Sequence, residues 1–121
     1  MLSLSNLSRI LFFGAFAFTW VMALLPKPPA LPIDSYGDKF EHMLAFGTLT
    51  LLARMAFRRA SDWLILERLS FVGALIEVFQ AWPSLHRDCD PKDWIADTLA
   101  IAAMLVLCRL ARMMAGIAAR R

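Results

Sequence analysis

Cysteine is scarce in this chain: Cys89 and Cys108 are the only two. If both lie in one helical stretch, about 1.5 Å of rise per residue holds them roughly 28 Å apart. A disulfide needs Cα atoms within about 7 Å, so an intrachain bridge is not expected. Internal repeats and low-complexity linkers are also missing, and residues 1–121 read as a single domain. A basic face with polar or aromatic contacts is lacking too. The arginines flank apolar runs instead, which argues against nucleic-acid binding. The chain has no paired histidines at helical spacing, so no metal or cofactor is expected. No ionisable path crosses the apolar runs beyond Glu67 and Arg68, which argues against a proton relay.

What the chain has in excess is apolar surface. Hydrophobic residues make up 60% of it, and its mean hydropathy is +0.58. Soluble domains carry roughly 45–50% apolar residues, and a small domain buries only about two-thirds of the surface it exposes unfolded. Lipid is the natural solvent for the remainder. The net charge of +3 says less than its distribution.

Ile10 to Leu25 is a nearly unbroken apolar run behind Arg9. It is closed by Pro26, and its flanks extend it toward the about 17–25 residues of a membrane span. Prolines crowd any cleavage site, so a retained helix is expected rather than a cleaved signal. Pro26 to Gly37 is a loop with turn chemistry at Asp34, Ser35 and Tyr36. A second span starts at Asp38 with a knot of ionisable groups and ends at the basic cluster Arg54 to Arg59. On the third, Ser70, Gly73, Glu77 and Gln80 recur at three- and four-residue spacing, a single helix face that should look into a bundle. Asp90, Pro91 and Asp93 open the fourth as cap, first helical residue and first-turn carboxylate. The expectation is an all-α membrane protein, a small bundle with four transmembrane helices over about 8–25, 38–57, 63–82 and 93–110.

Four spans place the N-terminus, the Arg58–Asp62 turn and the C-terminus on one side, which takes nine of the thirteen Lys and Arg residues. That side is cytoplasmic by the positive-inside rule. Most carboxylates and both histidines, His42 and His86, fall on the other. There the outer ends of three spans bring together Asp38, Lys39 and His42, then Glu77 and Gln80, then Asp93 and Asp97, with Arg87 in the loop between the last two spans. Some of these have plain roles. Asp38 with Glu41, and Asp90 with Asp93, fit an N-cap and its partner. Lys39 can snorkel to the interface, and His42 alone reads as a core histidine. Glu77 is the hardest to place: an ionisable group at the centre of a span costs about 2.5–3.5 kcal/mol or more. Lys39 and Arg87 are its expected partners.

The pattern Asp38-Lys39-x-x-His42-x-x-x-Phe46, then Glu77-x-x-Gln80, then Arg87-x5-Asp93-x3-Asp97 resembles the VanZ-like family of small bacterial membrane proteins. The resemblance spans roughly residues 38–107 and implies a multi-pass protein of the bacterial cytoplasmic membrane and cell envelope, in a family whose founding member is linked to glycopeptide resistance. Three functions fit the residues. In the first, the cluster binds or acts on a lipid headgroup or a lipid-linked cell-wall precursor. Lys39 and Arg87 then hold phosphate, Asp38, Gln80 and Asp97 line the ligand, and His42, Glu77 and Asp93 carry acid–base chemistry. In the second, the cluster is interhelical glue worth about 0.6–2 kcal/mol per bond in an interaction module. The third is metal binding by His42, Glu77 and Asp93, which have suitable ligand types but no tight motif. Four short helices also leave lipid-facing surface for self-association.

Overall fold

The computed structural model describes residues 1–26, 29–87 and 89–121. The expectations that used Lys27, Pro28 and Asp88 lie outside these residues. Among the described residues every regular element is helical: α1 (Leu4–Leu24), α2 (Asp38–Ala56), α3 (Asp62–Gln80) and α4 (Pro91–Ala119), with short 3₁₀ turns at Pro32–Tyr36 and Pro83–Leu85.

The caps explain the boundaries. Ser3 accepts from the Asn6 N–H and starts α1 ahead of the apolar run. The expectation that Asp38 caps α2 is corrected: the cap is Gly37, at φ 96°, a backbone region that glycine enters at no steric cost. Asp38 is thus the first helical residue, and its carboxylate is not used on the cap. Ser61 caps α3 by accepting from Leu64 N–H at 3.1 Å. α3 stops at Gln80 rather than Trp82, because Trp82 precedes Pro83 and is steered into extended backbone. Asp90 caps α4, accepting from Lys92 N–H at 3.0 Å, with Pro91 in the first turn. Asp90→Ala should cost about 1 kcal/mol, read as a lower midpoint of thermal unfolding in detergent; an unchanged midpoint would deny the cap its role. α4 continues past Leu110 to Ala119, because arginine is a good helix former and Arg109 and Arg112 do not break it.

α1 and α4, of 21 and 29 residues, are long and apolar enough to cross a membrane. α2 and α3 have 19 residues each, with Asp38, Lys39 and Glu41 at one end of α2 and Arg54 at the other. α2 is central, packing on α1, α3 and α4, while α3 also packs on α4. The core is built from Phe12 of α1, Phe46 and Leu49 of α2, Leu69 and Ile76 of α3, and Ile101 of α4. Gly73, Glu77 and Gln80 are buried and Ser70 half-buried, so the polar face of α3 looks into the bundle. Ser70 Oγ and Thr98 Oγ1 share a 2.8 Å hydrogen bond, and Trp94 Nε1 donates to Ser70 O at 3.0 Å, tying α3 to α4. At the end where α2 stops, buried Arg54 closes the α2–α3 turn. The opposite end gathers the polar cluster.

Candidate functional site

The first turns of α2 and α4 meet at this end. Both helix N-termini present positive dipole ends, which favour the carboxylates of Asp38 and Asp93 beside them. His42, one turn into α2, faces α4. Its Nδ1 lies 3.1 Å from Asp97 Oδ1 and 3.4 Å from Asp97 Oδ2. An ionised carboxylate can only accept, so Nδ1 carries the proton and donates. That fixes the ring and leaves Nε2 facing 3.7 Å to Asp38 Oδ2 and 3.9 Å to Asp93 Oδ2, beyond hydrogen-bonding distance of both. Asp97 is fully buried, and Asp93 is 2% exposed.

Asp97 can sit there because α3 approaches closely at Gly73. A Cβ on that glycine would lie 3.1 Å from Asp97 Oδ2. Lys39 Nζ donates to Asp90 Oδ2 and Asp93 Oδ1, both at 3.1 Å. The expected pairing of Glu77 with Lys39 or Arg87 is therefore corrected. Glu77 Oε2 accepts from the Asp90 backbone N–H at 3.1 Å, so α3 supplies a carboxylate to the start of α4. Glu77 Oε1 is buried with no hydrogen-bond partner among the described residues. Asp93, expected as the capping partner of Asp90, turns to Lys39 and His42 instead. The Lys92 N–H holds the Asp90 carboxyl below its ordinary pKa, helped by Lys39.

Gln80 is directed elsewhere: its Nε2 donates to Ala23 O of α1 at 2.9 Å. Among the described residues Arg87 Nη1 makes one long bond, 3.4 Å to Leu25 O. Its guanidinium lines a cavity of about 380 Å³ between α1 and α2. At one end of that cavity are Asp34, Asp38, Glu41, His42 and Arg87; the rest is mainly apolar, with Phe18 and Met22 of α1 and Leu44, Ala45 and Phe46 of α2, and the hydroxyls of Thr19 and Thr48 that also line it are bonded back to their own helices. The Leu31 N–H donates to Asp34 Oδ2 at 2.8 Å and holds that carboxyl below its usual range.

His42, Asp38, Asp93 and Asp97 thus form one knot with Glu77, Lys39 binds its edge, and Arg87 lines the cavity beside it. Glu41 and Asp34 were legible only as cap and turn residues, yet both line the cavity. The α1 wall had no signal, since a helix apolar on all sides does not show which face borders a pocket. No known protein family, curated protein or solved structure matches this chain.

Proposed function

We propose that this chain is a four-span, VanZ-like protein of the bacterial cytoplasmic membrane, with both termini cytoplasmic, whose outer end binds a lipid headgroup. The amphipathic cavity carries this reading: about 380 Å³, apolar along α1 and α2 and charged at one end. A lipid has that same division. Its headgroup meets Arg87 and the His42 knot, and an acyl or prenyl chain lies between Phe18, Met22 and Leu44. Arg87 is the phosphate ligand on this reading, because its fork is not engaged by a carboxylate among the described residues, whereas Lys39 is held by two.

Four spans are supported by the outer faces of the helices. Phe13 and Phe18 of α1, Leu51 of α2, Phe71 and Val78 of α3, and Leu99 and Val106 of α4 are all exposed. A soluble monomer rarely shows apolar patches beyond a few hundred Å². The excess of Lys and Arg at the other end supports cytoplasmic termini.

The test is lipid binding to the purified chain by native mass spectrometry, with phosphatidic acid, a polyprenyl phosphate and phosphatidylcholine as probes. The phosphomonoester lipids should bind in preference, and Arg87→Ala should weaken them about tenfold or more, in line with about 1.5–3 kcal/mol for a charged hydrogen bond. The variant should unfold within about 2 °C of wild type, since among the described residues it forfeits a single 3.4 Å bond. Equal binding of all three lipids would sink the reading. An Arg87→Ala chain that unfolds far below wild type would favour the second reading, interhelical glue, which the paired Lys39 and the Gln80–Ala23 bond support.

A further inference from the structure

Phosphate and this site do not match by charge. Asp38, Glu77, Asp93 and Asp97 converge on His42, and Asp34 and Glu41 line the cavity together with Arg87. Glu77, Asp93 and Asp97 are 5%, 2% and 0% exposed. Buried carboxylates need compensating charge and hydrogen bonds. Lys39 compensates Asp93 from the rim, and the His42 ring holds Asp97. One oxygen, Glu77 Oε1, has no hydrogen-bond partner among the described residues, although the residue is more than nine-tenths buried. Ligand atoms of Glu77, His42 and Asp97 lie within 4.8 Å of one another, as do those of Asp38, His42 and Asp93.

We infer that this knot binds one divalent cation, of the zinc or manganese class, through His42 Nε2, Asp38 and Asp93. The donor set has the spacing for it: Nε2 stands 3.7 Å and 3.9 Å from the two carboxylate oxygens, against edges of about 3.4 Å in a tetrahedron with bonds of about 2.1 Å. Small side-chain adjustments close that gap. An imidazole among carboxylates suits zinc or manganese better than calcium or magnesium, which prefer all-oxygen shells.

The surroundings are those of a metal-binding histidine. Asp97 accepts from Nδ1, which fixes the tautomer and aims Nε2, the carboxylate–histidine arrangement found behind metal ligands. Lys39 takes the other oxygen of Asp93 and so aims Oδ2 at the histidine. Glu77, grouped with His42 and Asp97 beside this set, offers Oε1 to a water on the cation rather than to the cation itself. Asp38 is exposed and borders the cavity with His42, so the cation faces the ligand space. There it turns an acidic pocket into a receptor for phosphate oxygens. This deepens the headgroup reading and rests on it for the phosphate alone; cation binding stands without lipid.

The experiment is titration of the chelator-stripped full chain in detergent with ZnCl₂ and with MnCl₂, by calorimetry and by elemental analysis after desalting. Wild type should retain close to one equivalent of one of the two, and its unfolding midpoint should rise with metal concentration, as mass action requires. Asp38→Asn, an exposed first-turn change that spares the fold, should lose binding at least tenfold, and His42→Ala at least a hundredfold. Asp97→Asn should weaken binding about 10–100-fold without abolishing it, as a positioning residue does. Arg87→Ala should bind metal like wild type. Glu77→Gln should weaken binding while leaving the metal-free midpoint unchanged or raised, because it removes one of the crowded charges. No retained metal in wild type, or retention undiminished in both Asp38→Asn and His42→Ala, would overturn the inference. Phosphate-lipid binding that persists without metal would overturn the cation's role as the phosphate receptor and spare the headgroup reading. Metal bound at one equivalent with no preference for phosphate lipids would leave the cation site and sink that reading.

Discussion

Arg54→Ala should be the most damaging single change at the end opposite the polar cluster. Its side chain is 8% exposed and closes the α2–α3 turn with four contacts. Nη1 donates to Asp62 Oδ1 at 2.7 Å, and Nη2 reaches the carbonyls of Phe57, Arg58 and Ala60 at 3.2, 3.1 and 2.7 Å. Those carbonyls belong to Phe57, the C-cap of α2, and to the turn that follows it, and a cation at this helix end also suits the dipole. Alanine removes the guanidinium from all three, leaving Phe57 O only the Ala60 N–H at 3.1 Å, and leaves Asp62 with Arg112, whose Nη2 is 3.9 Å away. Hydrogen bonds to a charged group contribute about 1.5–3 kcal/mol each, though not additively. A loss of about 3 kcal/mol, or a midpoint lower by about 10 °C, is the expected result. Asp62→Ala should cost less, because Asp62 is 32% exposed and the three carbonyls keep their donor. Equal losses for the two variants would mean that the ion pair, not the capping of the turn, holds this end together.

Arg54 shows why some of the molecule was hidden in its sequence. A basic residue at the end of an apolar run reads as an interface charge, and only the path of the Phe57–Ala60 turn tells that it folds back into the protein. What was legible depends on local periodicity. The face with Gly73, Glu77 and Gln80 follows from spacing by three and four, and it does turn inward. The Asp90-Pro91 start of α4 follows from cap chemistry and occurs as expected. The convergence of Asp38, His42, Asp93 and Asp97 at one end follows once the helices run antiparallel.

Partner choice within that end was not legible. It depends on how far each helix is rotated and how deep it sits, which the spacing of one segment does not encode. Glu77 meets a backbone N–H of α4 rather than a cation. Asp38 is displaced from capping by a glycine with positive φ. Gln80 shares the face of Glu77 but finds α1. The order of importance also changes: Asp97, expected only to line a ligand, is the group that orients His42, ahead of Glu77 and Asp93. Fold-level features come from repeated weak signals along a helix. A site comes from a few side chains whose contacts are all long-range.

Gly73→Leu should be the most damaging change at the site that leaves every ionisable residue in place. The added Cβ alone would come 3.1 Å from Asp97 Oδ2 and 3.5 Å from both Asp97 Cβ and Phe46 Cζ. Asp97 has no room to yield, being fully buried and bonded to the His42 ring at 3.1 Å, and Phe46 is 1% exposed beneath it. Alanine is the milder probe: its gain of up to about 1 kcal/mol in helix propensity opposes the crowding, and the net change should stay within about 1 kcal/mol. Leucine adds branched bulk into the same space, and overpacking costs about 1–3 kcal/mol. If it parts Asp97 from His42, a buried carboxylate left without its donor adds about 1–3 kcal/mol more. The expected loss is roughly 3 kcal/mol, measured as a lower unfolding midpoint in detergent. Nitrogen NMR of the imidazole supplies the second readout. At a pH high enough to neutralise the ring, the Nδ1-protonated form should dominate in wild type, held by Asp97, and Gly73→Leu should shift the ring toward the ordinary mixture in which Nε2 carries the proton. A Gly73→Leu chain with wild-type stability and an unaltered ring spectrum would show that the close approach of α3 to α4 is not what aims His42.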